Sequence, residues 1–201
     1  MTAAGPDTPL SLETYDFSAE KAEILGVRLF KNGFSLDFFN REVFLSPGDI
    51  RPLDNLDLTP AIRDVLAAYL IHCPRQLPQV PPRPITFREF SGAAPLFSSF
   101  TMNTAKTIER HFSGKTTALT ERVRDLGAII HGRKAVTPCF HDLSVEFTPL
   151  PRISITLNFN DRDDIMPASA SFLYPDTAIH FLNLKHLMTI ATWLTGYLIQ
   201  K

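Results

Sequence analysis

Cysteine is almost missing from this chain. Cys73 and Cys139 are the two in 201 residues. Two thiols cannot build the disulfide framework of a small secreted domain, and they cannot supply the four thiolates of an iron–sulfur cluster. Both read as buried free thiols. Neither sign of charge is in excess: 20 basic residues stand against 21 acidic ones. That balance excludes a broad basic footprint for nucleic acid and leaves no electrostatic reason to expect an anionic membrane surface as partner. Long apolar runs are lacking too. LMTIATWLTGYLI, residues 187–199, follows Lys185 and His186 directly and is too short to span a bilayer. The opening MTAAGPDTPLSLE has neither the basic region nor the apolar core of a secretory signal. A soluble, cytoplasmic protein with no nucleic-acid or membrane partner is expected. No internal repeat, Gly-x-Ser-x-Gly, His-Glu-x-x-His, Cys-x-x-Cys-His or dinucleotide fingerprint occurs.

What the chain does have is apolar mass. The apolar fraction is 44%, with 16 phenylalanines, enough for a packed core. The polar stretch 1–13, with Pro6 and Pro9, reads as a loose arm before a single domain over 14–201. SAEKAEILG (18–26) predicts a short helix between a Ser18 cap and a Gly26 stop. VRLF (27–30), FSLDFF (34–39) and REVFLS (41–46) predict an antiparallel meander, with Asn32-Gly33 supplying positive φ at a turn. Thr59 and Pro60 open a helix with Ile62, Val65, Leu66, Tyr69 and Leu70 on one face, closed by Pro74.

Five prolines in PRQLPQVPPRP (74–84) make a stiff connector. Pro78, Pro81 and Arg83 in it have the spacing of a peptide for an aromatic groove, but a connector is the favoured reading. ITFREF (85–90) reads as an edge strand, and helices are expected over 99–112 and 117–130, punctuated by Gly114 and Gly132. LSVEFTP (143–149), ISITLNF (153–159) and SASFLY (169–174) are strands. A last helix over 182–200 carries two apolar strips: one of Leu184, Leu187, Met188, Ala191, Leu194 and Leu198, the other of Ile190, Trp193 and Tyr197. Such a helix is deeply buried or meets a partner. The class is α+β: one antiparallel sheet formed by the N-terminal meander together with the C-terminal hairpin strands, with helices mainly on one face.

Candidate chemistry is sparse. Asp161, Asp163 and Asp164 crowd the turn between two strands. Asp-x-Asp opens a calcium loop, but Ile165 and Met166 follow where an oxygen ligand and glycine are needed, so a solvated turn is favoured. A divalent ion held with help from Arg88 or His141 is the alternative. SGKTT (113–117) resembles the tail of a phosphate loop, yet Glu109 occupies the place of its first glycine; a helix stop at Gly114 and a threonine cap explain it. His72, Cys73, Cys139 and His141 are zinc-type ligands at spacings that fit no standard site. In FREF, Arg88 is a possible fork for carboxylate or phosphate, and an edge ion pair with Glu89 is the favoured alternative.

From VLAAYLIHC through ITFREFSG, LFSSFTMNTAKTIERHF and FTPLPRISITLNFNDRDDIMPASASFLY to the last helix, residues 20–199 resemble a bacterial domain-of-unknown-function family, DUF3786, typical of anaerobes. Phe87, Arg88, Glu89, Pro151, Arg152, Asp161, Asp163, Asp164 and Pro167 carry the match, while Phe181-Leu182-Asn183 departs from the family's Pro-Thr-Glu-like helix start. The resemblance implies company with iron–sulfur or corrinoid proteins of one-carbon redox metabolism, and no activity. The leading expectation is therefore a non-catalytic accessory protein that binds a ligand or a redox, corrinoid or iron–sulfur partner, with Arg88, Glu89, Asp161, Asp163 and Asp164 as candidate binding residues. A metal-dependent enzyme using the three aspartates, and a structural homodimer joined through residues 182–200, are the alternatives.

Overall fold

A computed structural model describes residues 11–131 and 141–200. Among them, α1 (Ala19–Leu25) ends on Gly26 at φ 71°. The meander follows as β1 (Arg28–Phe30), β2 (Gly33–Phe38), β3 (Arg41–Ser46) and β4 (Asp49–Pro52). Then come α2 (Pro60–Ile71), β5 (Pro84–Thr86), a 3-10 turn (Phe87–Glu89), α3 (Ala94–Asn103), α4 (Ala105–Phe112) and α5 (Thr116–Asp125). The chain closes with β6 (Ile129–Ile130), β7 (Leu143–Leu150), β8 (Ile153–Asn160), β9 (Ser169–Pro175), a second 3-10 turn (Asp176–His180) and α6 (Leu184–Ile199). Among the described residues no helix is long and apolar enough to cross a membrane.

The α+β class holds, but the single sheet does not. The meander is its own four-stranded sheet in the order β1-β2-β3-β4, and a second sheet runs β5-β9-β8-β7-β6, with antiparallel neighbours in both. The reason lies in β7. Its two edges are already taken by β6 and β8, and its register with β8 slips between Phe147 and Leu150. Pro149 sits in that slip without an amide to donate. One bond remains for the first sheet: the Phe39 amide donates to the Pro149 carbonyl at 3.3 Å.

The tight turn with positive φ also moves. Gly33 lies in β2, and the left-handed residues are Phe39 (48°) and Asn40 (61°) between β2 and β3. Two such residues are what a type I′ hairpin requires. Asn40 then ties the turn to the end of α5, its side-chain amide donating to the carbonyls of Leu126 (3.0 Å) and Gly127 (3.3 Å). Gly127 has φ 64°, and a Cβ there would come within 2.3 Å of the Asn40 amide nitrogen, so α5 stops well short of the expected residue 130.

Other expectations shift for local reasons. The helix expected over 99–112 is two helices, broken at Thr104, whose hydroxyl donates back to the Phe100 carbonyl at 2.6 Å. ITFREF is a strand only through Thr86. Leu12, inside the stretch read as a loose arm, is buried; residues 1–10 of that arm, with Gly132 and Cys139, lie outside the described residues.

Other elements form as their residues dictate. The Thr59 hydroxyl accepts from the Ile62 amide, Pro60 takes the first helical position, and Ile62, Val65, Leu66, Tyr69 and Leu70 are all buried. The Tyr69 hydroxyl donates to the Leu25 carbonyl at 2.7 Å, which joins α2 to α1. α6 lies against α2, α3, α4 and α5 on one side. Its second strip meets the first sheet, where Trp193 stacks on Phe39 at 5.0 Å. Both strips therefore have partners within the chain.

Candidate functional site

The acidic hairpin is built by its own amides. Asp161 accepts from the amides of Gly114 (2.5 Å), Arg162 (2.7 Å) and Thr116 (3.4 Å), and from the Thr116 hydroxyl (2.7 Å). Burial pushes this carboxyl up, but the bonds from Thr116, Gly114 and Arg162 outweigh it and hold it below the ordinary aspartate value. The SGKTT stretch thus presents amides to an anion, as a phosphate loop does, and the anion is a side chain of the same protein. Lys115, at the cap position of α5, makes no side-chain cap, so Asp161 does that work from another loop and the expected threonine cap is corrected.

Asp163 accepts from the amides of Ile165 and Met166, both at 2.7 Å, and closes the turn. Those two amides also lower its carboxyl pKa. Asp164 has no side-chain partner among the described residues. No group of three or more His, Cys, Asp or Glu among those residues is placed to hold a metal ion.

Asp161→Ala should lower folding stability by about 1–2 kcal/mol, the loss of a helix cap. Asp164→Ala should change it by less than about 0.5 kcal/mol. Urea unfolding with and without a divalent cation checks this. If the aspartates shared a metal, both variants would lose the same cation-dependent gain.

Arg88 and Glu89 are not an edge ion pair. They lie on the 3-10 turn, where the Glu89 carboxylate accepts from the Thr86 amide (2.7 Å) and hydroxyl (2.8 Å). Those bonds hold its pKa down. Exposed Arg88 sits 5.6 Å over the Phe97 ring. No hydrogen bond or ion pair joins either residue to the acidic hairpin among the described residues.

Arg152 has a structural task. Its guanidinium donates to the carbonyls of Ile24 (3.0 Å) and Glu23 (2.8 Å), a cation at the C-terminus of α1. Arg83 of the proline connector is held by Asp176 at 3.1 Å. Half-buried Cys73 donates to the Pro74 carbonyl at 3.5 Å, and burial pushes its thiol up. The His72 ring lies 6.1 Å from that of His186, which meets Asp64 at 3.2 Å. Burial lowers the pKa of His186 more than Asp64 raises it. Among the described residues the buried His141 Nδ1 has no partner.

The feature that sequence reasoning passed over is a groove of about 320 Å³ lined by Arg41, Leu56, Asp57, Thr59, Trp193, Gly196, Tyr197 and Gln200. Two regular elements and a loop build it: the start of β3, the last turns of α6, and the coil before α2 that carries Leu56, Asp57 and Thr59. Its wall is a ladder of rings. Phe39 stacks on Trp193 (5.0 Å, 26°), and Trp193 on Tyr197 (5.4 Å, 27°). Phe39 keeps its strained positive φ while only 2% exposed beneath Trp193, so packing holds the base of the ladder in place.

Gly196 is the floor of this groove. A Cβ there would meet nothing within 4 Å. Glycine inside a helix costs about 1 kcal/mol relative to alanine, and no neighbour requires it at this position. At the rim Arg41 is neutralised by Asp54 at 2.6 Å, and the hydrogen bond from Arg41 is the main cause of the lowered Asp54 pKa. Asp57 and the Tyr197 hydroxyl have no partner among the described residues. The available sequence signal was Trp193-x-x-Gly196-Tyr197, a glycine between aromatic residues four apart on one helix face.

Two roomier depressions, of about 490 and 520 Å³, lie under the proline connector around Pro78, Gln79 and His180. Their walls are the coil of the connector and the 3-10 turn Asp176–His180, and the charges of Arg83 and Asp176 in the second are paired with each other. The aromatic rings of the groove on α6 stand on a regular helix, which holds side chains more firmly than coil.

No curated protein and no solved structure shows significant similarity to the chain. The family model described as "Domain of unknown function (DUF3786)" matches residues 18–197, and the chain belongs to that family.

Proposed function

We propose that the protein is a non-catalytic binding module that holds a small ligand in the groove on α6. The observation carrying this reading is Gly196: the last turn of α6 holds a glycine that no neighbour requires, which leaves space open beside the rings of Trp193 and Tyr197 and the unpartnered Asp57. Clefts of roughly 300 Å³ and more are the usual size of small-molecule sites, and the mixed lining of this one, with Arg41, Asp57, Thr59 and Gln200 beside the rings, suits a polar ligand. The hairpin aspartates offer a weaker basis for metal chemistry, since Asp161 and Asp163 already accept several amides. A second copy docking through residues 182–200 would have to use the half-buried Leu184, Met188, Trp193, Tyr197 and Ile199, because Leu187, Ile190, Ala191, Leu194 and Leu198 are buried within the chain. A role in anaerobic one-carbon redox metabolism, with an iron–sulfur or corrinoid partner, draws its support from the family resemblance alone.

Trp193 is the chain's single tryptophan, so the groove carries its own fluorophore. A ligand-detected NMR screen of small polar metabolites should yield binders that also change Trp193 emission. Gly196→Leu, which fills the groove and raises helix propensity, should abolish that binding without lowering the melting temperature. Binders that persist in Gly196→Leu would overturn the reading, as would a screen without any.

A further inference from the structure

The geometry points to a small organic cation, a quaternary or alkylated ammonium group, as the ligand class of the groove; this rests on the binding reading above and names its chemistry. Three observations converge. Trp193 is stacked by both Phe39 and Tyr197, whereas Tyr197 has Trp193 as its one ring neighbour among the described residues, so a face of Tyr197 is left unstacked in the wall; ring faces attract cations through their quadrupole. The charges of the lining are unequal. Arg41 is the single basic residue among the groove's lining residues, and Asp54 neutralises it from the rim. Asp57, an exposed residue of the lining, has no partner among the described residues, so the net charge of the groove is negative.

An anionic ligand would meet Asp57 without a free cation to receive it. A bare metal ion would find one carboxylate where oxygen-seeking cations need six or more ligands. A soft organic cation is weakly hydrated, is drawn to a ring face and is favoured by the carboxylate in the same lining. The Thr59 hydroxyl, already accepting from the Ile62 amide, and Gln200 at the helix end are left to meet a polar tail.

The test uses the full chain and the Trp193 signal at pH 7 and constant ionic strength. The probes are choline and 3,3-dimethylbutan-1-ol, which has the same shape without the charge. Choline should change Trp193 emission saturably and bind about three- to thirtyfold more tightly than the alcohol, the range expected of a cation over a ring. Asp57→Asn should weaken choline by about threefold or more and leave the alcohol unchanged, with the melting curve as control for folding. Tyr197→Leu should weaken choline while the fold, read by circular dichroism, persists. Equal binding of the two probes, or choline binding indifferent to Asp57→Asn, overturns the cation inference while the groove reading stands. If neither probe binds, the cation inference also falls, and the Gly196→Leu comparison in the metabolite screen decides separately whether the groove binds anything.

Discussion

Phe87→Ala is expected to cost about 3–5 kcal/mol of folding stability, the range for emptying a buried aromatic position. Phe87 is 1% exposed and stacks face to face on Phe100, with centroids 4.2 Å apart at 8°. Phe90 and Tyr174 close round it at 6.3 and 6.4 Å. It sits on the short turn between β5 and α3, so its ring couples the edge of the second sheet to the helical layer. For a domain of this size that loss is a fall of about 6–20 °C in melting temperature. Arg88→Ala next to it should shift stability by less than about 0.5 kcal/mol, since the side chain is exposed. Urea unfolding followed by circular dichroism measures both. If Phe87→Ala lost under about 1 kcal/mol, far below the usual cost of such a truncation, the four-ring cluster would not be part of the cooperative core. Within the stretch Phe87-Arg88-Glu89 that carries the family resemblance, then, Phe87 fills the core, Glu89 caps its own turn and Arg88 is left for solvent or a partner.

Gly33→Ala is the second large effect, about 2–4 kcal/mol of destabilisation. A Cβ on Gly33 would stand 2.1 Å from the Leu45 carbonyl oxygen and 3.1 Å from the ring of Phe44. The phenyl tip can swing away. The carbonyl belongs to the paired strand β3, and it moves only if the ladder opens. Gly48→Ala is the matched control. It has φ 73° and nothing within 4 Å of a built Cβ, so it should lose only the left-handed backbone preference, about 1 kcal/mol. Thermal melts of the two variants separate steric exclusion from backbone strain. Equal losses would mean that β2 and β3 do not pair with Phe34 opposite Leu45. Asn32-Gly33 looks like a hairpin turn in sequence because glycine commonly serves φ. At position 33 the requirement is instead the absence of a side chain where a second strand passes.

Much of the element map was legible because its signals are local. Thr59-Pro60, Gly26 and the alternation of Ile153, Ile155, Leu157 and Phe159 each act within a few residues of themselves. The same locality explains the misreadings. Thr104 breaks a helix by bonding its own preceding turn, a choice helical periodicity does not register. The single sheet failed because strand patterns state which face is apolar and not which edge is free, and β7 had no edge left for the meander. In the candidate site, the acidic hairpin was read correctly as a turn, but its role as the cap of α5 was out of reach: Asp161 and Gly114 are 47 residues apart.

From its sequence alone the chain determined its α+β class, its main helices and strands, the connector, and the aspartates as turn residues, since caps, alternation and proline act through neighbours along the backbone. Tertiary structure alone decided that there are two sheets, that an internal carboxylate fills the anion slot at Gly114 and Thr116, and that Phe39, Trp193 and Tyr197 stack into one wall beside Asp57. Those outcomes depend on edges, spaces and charges contributed by segments far apart in the chain, and such contacts leave no periodic trace in the sequence of any one of them.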